Sequence, residues 1–446
     1  MFVIWCLVIV IMTMTTGLGI YDPPSIFVCS LFIVMTIGYD ASRAFVTQKT
    51  GTETYSFQLL KALLELNSPH TFWVYVRGSA GEEKSRAFRD LQSLALGNRQ
   101  RVKFIPISWL YLWTQGGLAW ETWRNPPDIL FIPAHVVPLF KNPRVPAVVT
   151  VHDLGLEYLP HYGSWKEKLY LGWFMEELRA RLAAHIVAVS EATKRDVVEK
   201  LHVPEGKVSV VYEGVDLSNY KLRITNYEKE KVKRKYGIKG EYILFVGTVQ
   251  PRKNLVRLIE AFSLVKGAGE KKSPKEKGLA LKNSQSQALG NLGLGNLPTL
   301  QLVIAGKPGW NYEEIYAAPR KFGVEGRVKF LDFVPSKDLP VLYAGAKLLC
   351  LPSLHEGFGL PVLESMSVGT PVVISNVSSL PEVGGSVAEY VDPNDVKEIA
   401  RGILRVLRYD KLAYHAKVER GKEWAARFSW KNAARETLKI LERVAQ

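Results

Sequence analysis

Short apolar runs alternate with longer amphipathic stretches along most of the chain, and the alternation happens twice. Residues 35–40, 71–76, 102–106, 129–132, 147–151, 186–189 and 208–212 have the length and apolar content of buried strands, with helix-like stretches such as 55–66 and 165–184 between them. After a polar, charged segment, 219–239, the rhythm restarts at 242–246, 300–305, 328–330, 347–351, 371–375 and 388–391. A strand followed by a helix and another strand implies a parallel sheet, because parallel neighbours need a crossover. The expectation is an α/β chain with two doubly wound domains, 35–222 and 223–427. The 446 residues agree, since single cores stop growing at about 250–300 residues.

Two segments break the rhythm. Residues 1–34 carry one charge, Asp22, and two apolar runs, 1–12 and 26–35. A spanning helix needs about 20 apolar residues, and 1–20 reaches that only by counting three threonines and two glycines. A signal peptide wants an early basic region, and the first basic residue is Arg43. Three readings stay open for this extension: a mis-assigned start with Met35 as the native first residue, an anchor, and a signal sequence. Residues 266–298, rich in Gly, Lys, Ser, Gln and Asn and without periodicity, are expected to be a mobile insertion whose lysines either face solvent or touch anionic lipid.

Hydrophobic residues at 47% and charged residues at 23% exclude a disordered chain, a collagen-like repeat and a polytopic membrane protein. Cys6, Cys29 and Cys350 lack paired spacing, so neither a disulfide scaffold nor a structural zinc site is expected, and a reducing, cytoplasmic setting is. A net charge of +15 favours anionic partners. The excess is diffuse and no zinc-finger, RRM or KH signature is present, so nucleotide phosphates and an anionic membrane face are expected rather than nucleic acid.

Open α/β sheets bind ligands at the carboxyl ends of their strands. The run 242–246 leads into Gly247-Thr-Val-Gln-Pro-Arg-Lys-Asn-Leu255, placing Gly247 where backbone approaches a ligand and Arg252 and Lys253 at the opening of the next helix. Two adjacent cations there suit a diphosphate, whereas an ordinary helix start disfavours them. The run 347–351 leads into His355-Glu-Gly-Phe-Gly-Leu-Pro-Val-Leu-Glu364. Gly357 and Gly359 leave amides bare, Pro361 fits a first helical turn, and a helix N-terminus attracts phosphate. Glu356 then lies in the loop and Glu364 one turn inside the helix, both toward the crevice, unless Glu364 is a dipole-favoured first-turn acid. The same eight-residue spacing at Glu191/Glu199 and Glu205/Glu213 lacks this turn and is set aside. Gly51 precedes a helix after the first strand and offers an amide to the same crevice. His152 and Asp153 directly follow a strand; the alternative is a capping Asp beside an incidental His. His135 is a weaker candidate of the same kind. Trp109, Trp113, Trp120 and Trp123 crowd one segment, as core or as a sugar or lipid platform, with core the expectation.

Val203-Pro-Glu-Gly-Lys-Val-Ser-Val-Val-Tyr-Glu-Gly-Val-Asp216, the segment 247–255, Ile304-Ala-Gly-Lys-Pro-Gly-Trp310, the segment 356–364 and Gly369-Thr-Pro-Val-Val with Ser379-Leu-Pro-Glu-Val-Gly384 together resemble, in order and spacing, the retaining GT-B glycosyltransferases of family 4, in a subgroup often labelled mannosyltransferase. The resemblance spans Met35 to the C-terminus. It implies two Rossmann-like domains facing a cleft, with the segment 428–446 crossing back to the first. It also implies a nucleotide diphosphate sugar as co-substrate, no other cofactor, and a glycan or lipid-linked acceptor. Carried over by residue, Arg252 and Lys253 hold the diphosphate, the Gly51 amide touches it across the cleft, and Glu364 binds the ribose. Glu356 and the Gly357 and Phe358 amides bind the donor sugar, His152 faces its 6-hydroxyl, and the Phe333, Val334 and Pro335 backbone holds the base. Asp153, Gly247, Gly359 and Leu360 complete the substrate-binding set. The expected donor is GDP-mannose, with UDP-glucose and UDP-N-acetylglucosamine as runners-up. An epimerase or hydrolase on the same scaffold and an inactive binding subunit are the rivals. An NAD dehydrogenase is excluded, because no GxGxxG with a downstream acid follows a first strand. No metal is expected, since no two of the twelve aspartates are spaced two apart. A peripheral or N-terminally anchored place at the cytoplasmic membrane face completes the expectation.

Overall fold

The computed structural model describes residues 34–46, 51–78, 86–97, 101–109, 112–134, 137–154, 182–216, 224–265 and 300–446. The readings made for 1–33, for 266–298, for His135 and for the helix over 165–181 fall outside these. Residues 35–446 form one compact unit.

Two parallel sheets carry the fold. The first has the strands β1 (Thr36–Asp40), β2 (Thr71–Arg77), β3 (Arg101–Ile107), β4 (Ile129–Ile132), β5 (Ala147–Val151), β6 (His185–Ala188) and β7 (Val208–Val210), in the order β3-β2-β1-β4-β5-β6-β7. The second has β8 (Tyr242–Val246), β9 (Gln301–Ala305), β10 (Val328–Phe330), β11 (Leu348–Leu351), β12 (Val372–Ser375) and β13 (Glu389–Val391), in the order β10-β9-β8-β11-β12-β13. In both, the first strand sits between its second and a later one, so Ile37 pairs with Phe72 on one side and Ile129 on the other. That reversal of strand order opens a crevice beyond the carboxyl ends of β1 and β8, where a doubly wound sheet takes its ligand. The fold is the expected α/β arrangement. β4, β5 and β6 are buried along their whole length, which is why their sequences read as unbroken apolar runs rather than alternating ones.

Element ends moved where polar residues hid them. The helix expected from residue 55 begins at Gly51, because its first turn is Gly-Thr-Glu-Thr, with Glu53 placed favourably against the helix dipole. β6 starts at His185, whose polar ring is accommodated by Ser209 Oγ at 2.9 Å from Nε2. The tryptophan cluster corrects the core expectation. Trp113 is buried, but Trp109, Trp120 and Trp123 are more than half exposed. The π-helical turn Trp113–Leu118 and the helix Ala119–Arg124 bury Trp113, Gly117, Leu118, Ala119 and Thr122 against the first sheet's core, which leaves the other tryptophans outside.

The last helix, Trp430–Ala445, packs along Gly51–Glu65. Ser429 caps it, Trp430 meets the Tyr55 ring at 5.7 Å, and Glu442 Oε1 lies 2.9 Å from His70 Nε2. Just before it, the Val215 amide donates to the Phe428 carbonyl. Gly214 is what lets these chains touch, since a Cβ there would lie 2.1 Å from the Trp430 nitrogen. Gly214→Ala is therefore expected to cost about 1–3 kcal/mol through displaced backbone, seen as an earlier urea midpoint with an unchanged slope. An unchanged midpoint would mean the last helix does not depend on this contact.

Candidate functional site

A cleft of about 570 Å³ lies at the carboxyl ends of both sheets. From the first sheet it is lined by Gly51, at the N-terminus of its helix, and by His152 and Asp153, which follow β5. From the second come Gly247 after β8, Arg252 and Lys253, Phe333 and Val334 after β10, and the loop Glu356, Gly357, Phe358, Gly359, Leu360 with Glu364 behind it. Pro335 is not among the lining residues; Ser336 is.

Arg252 and Lys253 do not open a helix. They occupy a 3-10 turn, Pro251–Lys253, that Asn254 ends at φ 60°, and the helix Leu255–Leu264 starts only afterwards. The Asn254 amide group donates to the Pro352 and Pro393 carbonyls, which fastens the basic turn to the loops after β11 and β13. Separating the pair from the helix removes its unfavourable contact with the dipole's positive end. Lys253 Nζ reaches both oxygens of Glu356 at 2.6 Å, and Ser353 Oγ donates to the same carboxylate at 2.7 Å. Burial alone would raise the Glu356 carboxyl, but the Lys253 and Arg252 charges outweigh it and hold the group below its ordinary value. Arg252 donates to Asp153 Oδ2 at 2.7 Å, so this pair joins the second sheet's turn to the first sheet's loop.

His152 has an acceptor on each ring nitrogen. Nδ1 lies 3.1 Å from Glu213 Oε1 and Nε2 lies 2.9 Å from the Pro133 carbonyl, while the Tyr55 ring stands edge-on at 4.6 Å. A ring with an acceptor at both nitrogens is satisfied as the imidazolium. Burial opposes that charge, yet the hydrogen bond and charge of Glu213, the Pro133 carbonyl and Asp153 together raise the ring above its ordinary value. Glu213 was set aside in the sequence because nothing local marks it; it comes from the Glu-Gly-Val-Asp stretch 61 residues from His152.

Gly357 does more than bare an amide. A Cβ on it would lie 1.9 Å from the His152 carbonyl oxygen, and its own carbonyl accepts from Ser190 Oγ and Thr193 Oγ1. Glycine is required by the closeness of the two lobes. Gly359, at φ 113°, turns the chain into the helix Leu360–Ser367, with Pro361 in its first turn. Serines that the sequence left without a role hold this loop: Ser379 donates to the Glu356 and Phe358 carbonyls, Ser378 to Glu356, and Ser375 to the Ser353 carbonyl. Glu364 accepts from Tyr343 at 2.6 Å, which aims a carboxylate into the cleft wall. Gly306 and Lys307 line the cleft too; a Cβ on Gly306 would meet the Gly247 carbonyl at 1.8 Å.

The sequence profile of the family described as "Glycosyl transferases group 1" matches residues 228–424, and that described as "Glycosyltransferase Family 4" matches 49–219. The chain is 32% identical over 293 residues to the O-antigen chain mannosyltransferase B of Escherichia coli, covering 66% of this chain and 69% of that one. It is 30% identical to the serotype-specific mannosyltransferase WbdA of the same organism, over 58% of this chain but only 29% of that protein's length. In fold it is similar to HepE of Anabaena solved with UDP-glucose, with a TM-score of 0.63, 17% identity, and 92% and 100% of the two chains covered. It is also similar to WaaG, described as a glycosyltransferase involved in lipopolysaccharide biosynthesis, with a TM-score of 0.61, 16% identity, and 91% and 99% covered.

The His152–Glu213 contact yields a pH prediction. The His152 ring, followed by NMR of histidine-labelled protein, should titrate above the ordinary value of about 6.5, and in Glu213→Gln it should fall, because the largest counterweight to burial is lost and only the Pro133 carbonyl and Asp153 still oppose it. A raised folded value means that this contact stabilises fully below about pH 6.5 and is lost as pH rises through the folded pKa. A ring that still titrates high in Glu213→Gln would remove Glu213 from the role.

Proposed function

The chain belongs to the glycosyltransferase family of group 1 and family 4, and from that premise we propose that it moves a hexose from a nucleotide diphosphate sugar to a hydroxyl of a glycan or lipid-linked acceptor, with retention at the anomeric carbon. The observation that carries the reading is the basic turn of Arg252 and Lys253, held by the half-buried Asp153 and the buried Glu356 at the switch point of the second sheet. Mannose from GDP-mannose is the proposed donor; as to the sugar, two mannosyltransferase relatives at 30% identity or more support it.

In this reading the leaving diphosphate meets Arg252, Lys253 and the amides that open the helices at Gly51 and Leu360, all fixed before charge develops. Lys307 adds a third cation on the cleft wall. Glu364 takes the ribose hydroxyls and the backbone around Phe333 and Val334 the base. Glu356, held ionised, faces the sugar and supports positive charge at the anomeric carbon, and the His152 imidazolium, its N–H groups held by Glu213 and the Pro133 carbonyl, lends positive charge to the 6-hydroxyl side of the sugar. The bond from the anomeric carbon to the phosphate oxygen breaks as the acceptor oxygen bonds to the same face, and the acceptor's proton passes to the leaving phosphate. No separate base is then needed, and charge neutralisation rests on protein groups instead of a metal ion.

Lys253→Ala is expected to lower turnover about 10²-fold or more with nucleotide-sugar donors, in a fold checked by circular dichroism. Near-normal turnover would take Lys253 out of the site. Activity should survive EDTA, and an α-linked donor should give an α-linked product by NMR; dependence on Mg²⁺ or Mn²⁺ overturns the first statement and a β-linked product the second.

A further inference from the structure

The connections that follow β3 and β4 carry large apolar side chains on the outside of the molecule. Trp109 is 51% exposed, Leu112 67%, Trp120 57%, Trp123 54% and Phe140 74%. They form one neighbourhood. The Trp109 ring lies over Gly116, where an added Cβ would come within 2.4 Å of it, and Gly116, Trp120 and Trp123 follow one another at helical spacing. Trp123 Nε1 donates to the Phe140 carbonyl at 2.9 Å, which brings in the loop after β4.

Cations rim this neighbourhood. Arg124 follows Trp123 in the same helix and is exposed. Arg144 is exposed in a turn whose Asn142 amide donates to Thr122 of that helix. Arg77 ends β2, in register with Ile107 two residues before Trp109, and is exposed as well. The acid on this helix, Glu121, accepts from Asn125.

We propose that the cluster of Trp109, Leu112, Trp120, Trp123 and Phe140, rimmed by Arg77, Arg124 and Arg144, is a docking surface for an anionic membrane face. Rings with an apolar body settle at the headgroup level of a bilayer, and arginines at its edge are attracted by anionic lipid. A sugar platform fits less well. Leu112 and Phe140 offer a carbohydrate no hydrogen bond from their side chains, and the Trp123 indole N–H is already spent on Phe140. No described helix is long and apolar enough to cross a membrane; contact through this cluster is of the interfacial kind, with rings at the headgroup level.

The connections that carry the cluster leave the carboxyl ends of β3 and β4, the side on which the cleft opens, and return to the amino ends of β4 and β5; none of the five apolar residues lines the cleft itself. A lipid-linked acceptor held in the same bilayer would then meet the enzyme at the membrane surface rather than in bulk water. This purpose rests on the transferase reading; the attachment itself does not.

The test uses the full chain and sedimentation with vesicles. Binding to vesicles containing phosphatidylglycerol should exceed binding to pure phosphatidylcholine and weaken with salt. The double variant Trp120→Ser/Phe140→Ser should lose about tenfold or more of that affinity, and so should Arg124→Glu/Arg144→Glu, while transfer to a water-soluble acceptor is unchanged. The charge variant changes no apolar packing and stands if the first folds poorly. No vesicle binding by the unaltered chain overturns the proposal, as does binding that both variants keep. A raised KM for the soluble acceptor in Trp120→Ser/Phe140→Ser overturns it in favour of a sugar platform. Vesicle binding that behaves as expected, in a protein that transfers no sugar, would refute the transferase reading and leave the docking surface standing.

Discussion

The site depends on a buried ion pair. Lys253 and Glu356 have side chains only 11% and 9% exposed, so two charges have been taken from water, and such a pair is tolerated only when its remaining hydrogen-bonding capacity is met. Here Lys253 spans both carboxylate oxygens and Ser353 adds a third bond. Removing one partner of such a pair typically costs about 3–5 kcal/mol, because the survivor is left charged and buried. The serines that grip the loop at Ser353, Glu356 and Phe358, and Asn254 beneath the basic turn, keep that geometry from drifting. With Arg252 on Asp153, the four charges cancel. An arriving diphosphate therefore meets cations already fixed in place and competes with carboxylates for them.

The second constraint is how closely the lobes approach. Gly357 stands against the His152 carbonyl, and its own carbonyl takes hydroxyls from Ser190 and Thr193. Glu382 of the second lobe reaches the amides of Glu191 and Ala192, capping a first-lobe helix, and Arg252 reaches Asp153. Displacing one lobe by an ångström would disturb the sugar-facing loop and the His152 ring together. The two sides of the cleft thus form one constellation, although their residues lie far apart in the chain.

Much of this was legible in the sequence because it is local. Buried parallel strands appear as apolar runs, and Gly359 with Pro361 marks a turn into a helix whatever surrounds it. The basic turn was legible as to residues but not as to shape, since nothing in Arg-Lys-Asn-Leu announces that Asn254 adopts φ 60° and postpones the helix. What stayed hidden was set by tertiary proximity. Glu213 is ordinary until folding brings it to His152, and Ser190 is an unremarked helix cap until Gly357 arrives from 167 residues away. The tryptophans misled for the opposite reason: ring content suggests a core, while one helix face decides which rings enter it.

The central claim is that Arg252 and Lys253, held by Asp153 and Glu356, are the seat of a diphosphate. A crystal structure with a nucleoside diphosphate bound in the presence of a chelator tests it directly. The account predicts phosphate oxygens at about 2.7–2.9 Å from the Arg252 guanidinium and from Lys253 Nζ, with the Gly51 helix N-terminus facing them. A diphosphate bound away from these two cations, with both ion pairs undisturbed, would contradict it.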